Sequence, residues 1–160
     1  MQVAVIDYAR NVAWLSNAHS TEFKEETSDP VIALITEWVD EDGRRQLRDD
    51  EADLGGSMRL GAQTSHLVEG SITREAYDSA EVNERHRHRY EVNPDLIEKI
   101  ENAGLVFVGK DETGQRCEIF ELDDHPYYVG VQYHPEFKSR PERPSPPFLG
   151  LLKAAAGHDL

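Results

Sequence analysis

The chain has a single cysteine, Cys117, so no intrachain disulfide framework can form. It is also poor in positive charge: Lys plus Arg total 17 against 31 Asp plus Glu, a formal net charge of -14. Such a surface repels nucleic acid and anionic membranes, so neither is an expected partner. No apolar run approaches transmembrane length. Residues 1 to 14 lack a basic leader and hold Asp7 inside their apolar stretch, which makes a poor signal peptide. The expectation is a soluble, cytoplasmic protein. Internal repeats and low-complexity tracts are missing, and the one proline-rich stretch, residues 141 to 147, reads as a stiff connector before a last helix. At 160 residues the chain suffices for one ordinary domain.

Pattern and punctuation divide the chain. Apolar positions over residues 2 to 14 predict a helix that is apolar nearly all round, hence one buried on several sides. Residues 17 to 30 are a polar loop ending in Asp29-Pro30. Residues 30 to 39 read as a strand, 40 to 43 as a turn, and 53 to 68 as a paired-strand region with Gly55 and Gly56 at its entrance. Residues 71 to 78 predict a short helix. Arg85 to Val92 carries no strong propensity and is placed on a strand or extended loop. Asn93-Pro94-Asp95 is a helix start, with Asn as N-cap, Pro in the first turn and Asp near the positive dipole end. Gly104 ends that helix. Residues 105 to 110 and 116 to 122 form a hairpin about the Asp111 to Gly114 turn. A strand over 127 to 133 and a helix over 147 to 156 close the chain. The strands are mostly hairpin-linked, and the βαβ units of a parallel core are nearly missing.

The richest stretch is VGVQYHPEF, residues 129 to 137. Pro135 cannot donate to a sheet ladder, so it stops the strand and presents His134 at its exit. Residues two apart on extended backbone face the same side, so Glu136 is expected beside the imidazole. A carboxylate next to histidine fixes its tautomer and raises its basicity, as for a general base serving a nucleophile. The same pair is also ordinary for a strand end. Cys117 does not fit as that nucleophile: it sits mid-strand, whereas a reactive thiol needs an exposed turn or helix N-terminus.

Residues 84 to 94, ERHRHRYEVNP, alternate His and Arg. If extended, His86 and His88 share one face and Arg85, Arg87 and Arg89 the other. No metal site is expected there, since guanidinium groups repel a cation and no Cys or Asp completes a ligand set. A forked guanidinium suits carboxylate recognition, though a solvated charged strand fits the spacing as well. Glu22, in NAHSTEF, is a lone loop carboxylate able to hold an ammonium. Residues 55 to 61, GGSMRLG, lack P-loop spacing.

Taken together, MQVAVIDYARNV, NAHSTEF, PVIALITEW, DLGGSMRLGAQ, ERHRHRYEVNP, GVQYHPEF and SRPERPSPPF resemble the glutaminase domain of the CTP synthases, which are class I glutamine amidotransferases. The resemblance runs from Met1 to about Ala156. It implies an α/β fold: the C-terminal portion of a flavodoxin-like domain, a mixed sheet flanked by helices, with the N-terminal strands missing. The expected organisation is a partial amidotransferase domain over 1–156 and a tail over 157–160. In that family a Cys-His-Glu triad hydrolyses glutamine, and the ammonia passes to a synthase domain that aminates UTP at the expense of ATP. By resemblance, His134 is the triad histidine and Glu136 the triad glutamate. Glu22 binds the amino end of glutamine, Arg89 its α-carboxylate, and Met1 and Gln2 also contact it. The family's nucleophile lies in a Cys-Leu-Gly-Met-Gln turn, of which Met1-Gln2 match the last two residues. The cysteine, the glycine-rich oxyanion segment and the synthase domain with its ATP and magnesium are not expected in this chain. Its partners would then be glutamine, the missing half of the glutaminase and the synthase domain, with the complete enzyme a homo-oligomer. The alternative is a stand-alone remnant that binds glutamine or regulates without chemistry.

Overall fold

A computed structural model describes residues 1–34 and 58–158 in full, and only the backbone of the short strands 37–39 and 45–47. The chain opens with α1 (Gln2–Asn11), then β1 (Ala18–Ser20), β2 (Asp29–Leu34), β3 (Glu37–Val39) and β4 (Arg45–Leu47). There follow β5 (Arg59–Leu67), α2 (Ile72–Tyr77), β6 (Glu81–His88) and β7 (Tyr90–Val92). A 3-10 turn, Pro94–Leu96, leads into α3 (Ile97–Glu101), then β8 (Leu105–Asp111), β9 (Cys117–Leu122) and β10 (Val129–Val131). A second 3-10 turn, Pro135–Phe137, and α4 (Pro146–Ala155) finish it. The turn expected at 40 to 43, and Gly55 and Gly56, lie outside the described residues.

Two sheets carry the fold. The smaller runs β1-β2-β7, with β1 parallel to β2 and β7 antiparallel to it. The larger runs β10-β9-β8-β5-β6 and is antiparallel throughout. β3 and β4 form a separate antiparallel pair. Among the described residues β1 and β2 make the one parallel pairing. This mixed α/β architecture, with helices against its sheets, is the expected class.

Helix α1 packs on the smaller sheet through Val5 and Ala9, both fully buried, while Val3 on the opposite side stays 78% exposed. The expectation of burial on several sides was too generous: α1 covers a sheet with one stripe. It also ends at Asn11, not at 14. Trp14 turns left-handed at φ +59°, and Leu15 N–H donates back to Ala9 O at 2.9 Å, closing the last carbonyls in a Schellman-like stop. Tyr8 Oη then donates to Ala103 O at 2.6 Å. Gly104 is required beside it, since φ is +110° and a Cβ would lie 3.0 Å from that hydroxyl.

Asn93 caps as expected, its side chain accepting from Asp95 N at 3.1 Å. The first turn is 3-10, not α. The hairpin closes at the expected turn, Gly114 N–H donating to Asp111 O at 2.9 Å. The main apolar core joins α1 and the smaller sheet to β8 and β9 through Val31, Ile32, Val92, Ile100, Leu105, Phe107 and Phe120.

Candidate functional site

Strand β10 is shorter than expected, and after it Pro135 opens a 3-10 turn, with Phe137 N–H donating to His134 O at 3.2 Å. His134 therefore stands at the exit, as anticipated. Its Nδ1 lies 2.8 Å from Glu136 Oε1. The turn brings these two together, not the alternation of an extended strand. Burial raises Glu136, but its own backbone N–H and the His134 ring outweigh that and hold its carboxyl below the usual range. With Nδ1 committed to the carboxylate, Nε2 is the nitrogen free to exchange a proton. The segment is anchored by His134 N–H donating to Arg85 O at 2.8 Å.

Along β6, Val82, Glu84 and His86 are buried while Glu81, Asn83, Arg85 and Arg87 face out. The alternation separates the histidines from Arg85 and Arg87, as expected. Arg89 departs from it. It occupies the bend between β6 and β7, where the chain crosses from the larger sheet to the smaller, and it is half-buried. Its Nη1 is out of water and has no hydrogen-bond partner among the described residues. Burial first, then the charges of Arg59 and its neighbours, lowers His86 to about 3. Burial likewise lowers His88 to about 4, against a partly opposing bond to Tyr90. Both rings are neutral at physiological pH.

One backbone carbonyl ties the segments together. Tyr90 O accepts from Gln2 Nε2 at 2.8 Å and from Gln132 Nε2 at 2.8 Å. Gln2 sits in the first turn of α1, and Gln132 is two residues before His134. Strand register gives the same picture: Ser20 pairs with Ile32, and Leu34 with Tyr90. The C-terminal ends of β1 and β2 thus lie where β7 begins, the end at which open sheets bind ligands. Glu22 follows β1 at that end, exposed, with its N–H on Ser20 Oγ at 3.2 Å. It makes no side-chain bond to the others. Met1 is half-buried against the apolar core, its carbonyl accepting from Val5 N at 3.1 Å.

The sequence reading missed a buried polar layer behind this end. Arg59 pairs with Glu118, which also accepts from Ser65 Oγ. Burial raises the Glu118 carboxyl, against the pull of Arg59. An arginine in GGSMRLG and a glutamate amid strand residues were the available signals, 59 positions apart. Cys117 is buried in β9 and burial pushes its thiol up to about 12, the opposite of an activated nucleophile. A groove of about 480 Å3 lined by Arg59, Asn83, Asp111 and Arg116 includes none of the six sequence-predicted residues. Among the described residues no group of three or more His, Cys, Asp or Glu is placed to share a metal ion, and no helix is long and apolar enough to cross a membrane.

Comparison with known proteins adds two findings. The family model described as Glutamine amidotransferase class-I matches residues 1–154. A solved structure of Trypanosoma brucei CTPS, its glutaminase domain with bound acivicin, superposes with a TM-score of 0.84 at 38% identity. That match covers 100% of this chain and 58% of the other.

Proposed function

The chain belongs to the class I glutamine amidotransferases, and we propose that it supplies the general base and the substrate-recognition residues of a CTP synthase glutaminase. In this reading His134 Nε2 takes the proton of a cysteine thiol. The thiolate attacks the side-chain amide carbon of glutamine. The imidazolium returns the proton to the leaving nitrogen, so ammonia departs and a thioester remains, which water hydrolyses to glutamate. Glu136 holds the ring and stabilises its charged form. Arg89 grips the α-carboxylate and Glu22 the ammonium, with Met1 and Gln2 beside them. The thiol comes from outside these 160 residues, because Cys117 is buried and hard to ionise. In the complete enzyme the ammonia would aminate UTP in a synthase domain that holds ATP and magnesium.

The observation that carries this is the junction at Tyr90 O, which holds the Gln2, Arg89 and His134 segments to one end of the smaller sheet. The T. brucei structure with acivicin, a glutamine analogue, supports glutamine as the ligand. The test is ammonia release. The 160-residue chain alone should release none from glutamine. Joined to a segment bearing the family's Cys-Leu-Gly turn ahead of Met1, it should turn over, and His134→Ala should then cut kcat by at least about a hundredfold. Turnover by the chain alone, lost in Cys117→Ala, would overturn the proposal.

A further inference from the structure

Arg89 sits on a corner, and a corner residue points only as well as its flanks are held. Both flanks here depend on one side chain. Gln132 Nε2 lies 3.0 Å from His88 Nδ1 and 2.8 Å from Tyr90 O, the residues immediately before and after Arg89. His88 Nδ1 is also 3.0 Å from Tyr90 O, so two donors compete for that carbonyl besides Gln2. A carbonyl has two lone pairs, and Gln2 and Gln132 fill them. The second Gln132 N–H then needs an acceptor, which His88 Nδ1 provides if the ring carries its proton on Nε2. That tautomer is the one that donates onward, His88 Nε2–H to His86 Nδ1 at 3.0 Å. In this arrangement both Gln132 hydrogens and the His88 ring hydrogen find acceptors, and the hydrogen left on His86 Nε2 faces Glu118 Oε2 at 3.8 Å without a hydrogen bond.

We infer that Gln132 is a positioning residue for substrate recognition: its amide clamps His88 and Tyr90, fixes the β6–β7 corner, and so aims the Arg89 guanidinium. This rests on the reading of Arg89 as the carboxylate-binding residue. It also explains why Arg89 Nη1 can stay buried with no partner among the described residues. A free guanidinium would swing to water or to a nearby carboxylate, whereas a pinned corner keeps the fork pre-organised for a ligand.

Two measurements on the 160-residue chain test the clamp. The first is binding of glutamine and of its α-carboxamide, which lacks the carboxylate. The chain should prefer glutamine, and Gln132→Leu should lose about tenfold in glutamine affinity with the preference abolished, as in Arg89→Lys. The second is the His88 tautomer, read from imidazole 15N shifts. Nε2–H is expected, switching in Gln132→Leu to Nδ1–H, because Tyr90 O then has a lone pair to offer. Should the leucine variant not fold, the isosteric Gln132→Glu carries the same two readouts. Equal losses for both ligands would make Gln132 merely structural, and an unchanged tautomer would remove the clamp; either overturns the inference. If the unaltered chain binds neither ligand, the glutamine reading fails separately. The tautomer switch then still decides for or against the clamped corner.

Discussion

Around α1 and β2 the buried side chains are hydrocarbon: Val5, Ala9, Ala18, Val31 and Ile32. Between β5, β6 and β9 the equally buried positions hold Arg59, Ser65, Glu84, His86 and Glu118. The apolar half gains stability from each contact independently and needs only volume and shape. The polar half has desolvated charges and imidazoles, and it is favourable only when each finds its partner. Arg89, proposed to bind glutamine, lies at the seam. Tyr90 begins the strand that joins the apolar half, and Gln132 and His88 belong to the polar one. A site at such a seam inherits a firm floor from one side and directional hydrogen bonds from the other.

The sharpest way to break the comparison is to remove one partner of the buried ion pair. Glu118→Ala leaves Arg59 desolvated with no carboxylate and should cost about 3–5 kcal/mol. Ile32→Ala in the apolar half should cost a similar amount, about 2–5 kcal/mol. The two halves differ in rescue. Arg59→Met with Glu118→Leu should regain most of the loss, because the charges leave together. Urea unfolding midpoints measure all three, and a double variant no more stable than Glu118→Ala would show that the pair does not govern this layer.

The halves should also part company with pH. His86 and His88 are lowered in the fold to about 3 and about 4, from an ordinary value of 6.5. Unfolding therefore takes up protons below pH 6.5. Their contribution is fully present above that value and is lost as pH falls toward 4 and then 3. Glu91 is opposite in sign. Burial raises it from 4.5 to about 7, against the nearby Arg116, so its contribution is present below 4.5 and lost as pH rises through 7. His88→Gln should lose less stability than the unaltered chain between pH 6.5 and 4, and Glu91→Gln less between 4.5 and 7. Ile32→Val should lower Tm by the same amount at every pH. Parallel Tm–pH curves for the unaltered chain and His88→Gln would refute the titration account.

A smaller effect probes packing where β9 meets β10. A Cβ on Gly130 would fall 2.2 Å from the Phe120 ring, so Gly130→Ala must displace an aromatic from the apolar core. It should cost about 1–3 kcal/mol by overpacking, and Gly130→Ala with Phe120→Leu should recover part of it. If Gly130→Ala melted with the unaltered chain, the contact would not be limiting.

Local punctuation was legible wherever one residue's covalent chemistry decides its conformation. Pro135 opens the 3-10 turn after β10, Asn93 caps a turn, and Gly114 closes the hairpin. The His134–Glu136 pair was legible too, since two residues so close meet under either an extended or a turned backbone. Trp14 was not, because a left-handed non-glycine residue at a helix end carries no composition signal. The resemblance brought the family and the six candidate residues within reach, and the family is the one matched over residues 1–154.

By itself the sequence determined most of the elements, the alternation along β6 and the chemistry each candidate side chain can offer, but it read β1 as loop and β2 and β3 as one strand. Tertiary structure alone decided which alternate face met water and which met Glu118. It also decided that Arg89 leaves the exposed row at a bend, and that Gln132 reaches a carbonyl 42 positions away. The reason is physical. Alternation separates two faces of a strand, but burial follows from what packs on each face. Long-range partners are chosen by sheet register and by the corners between sheets, and these are settled only when all the strands are in place.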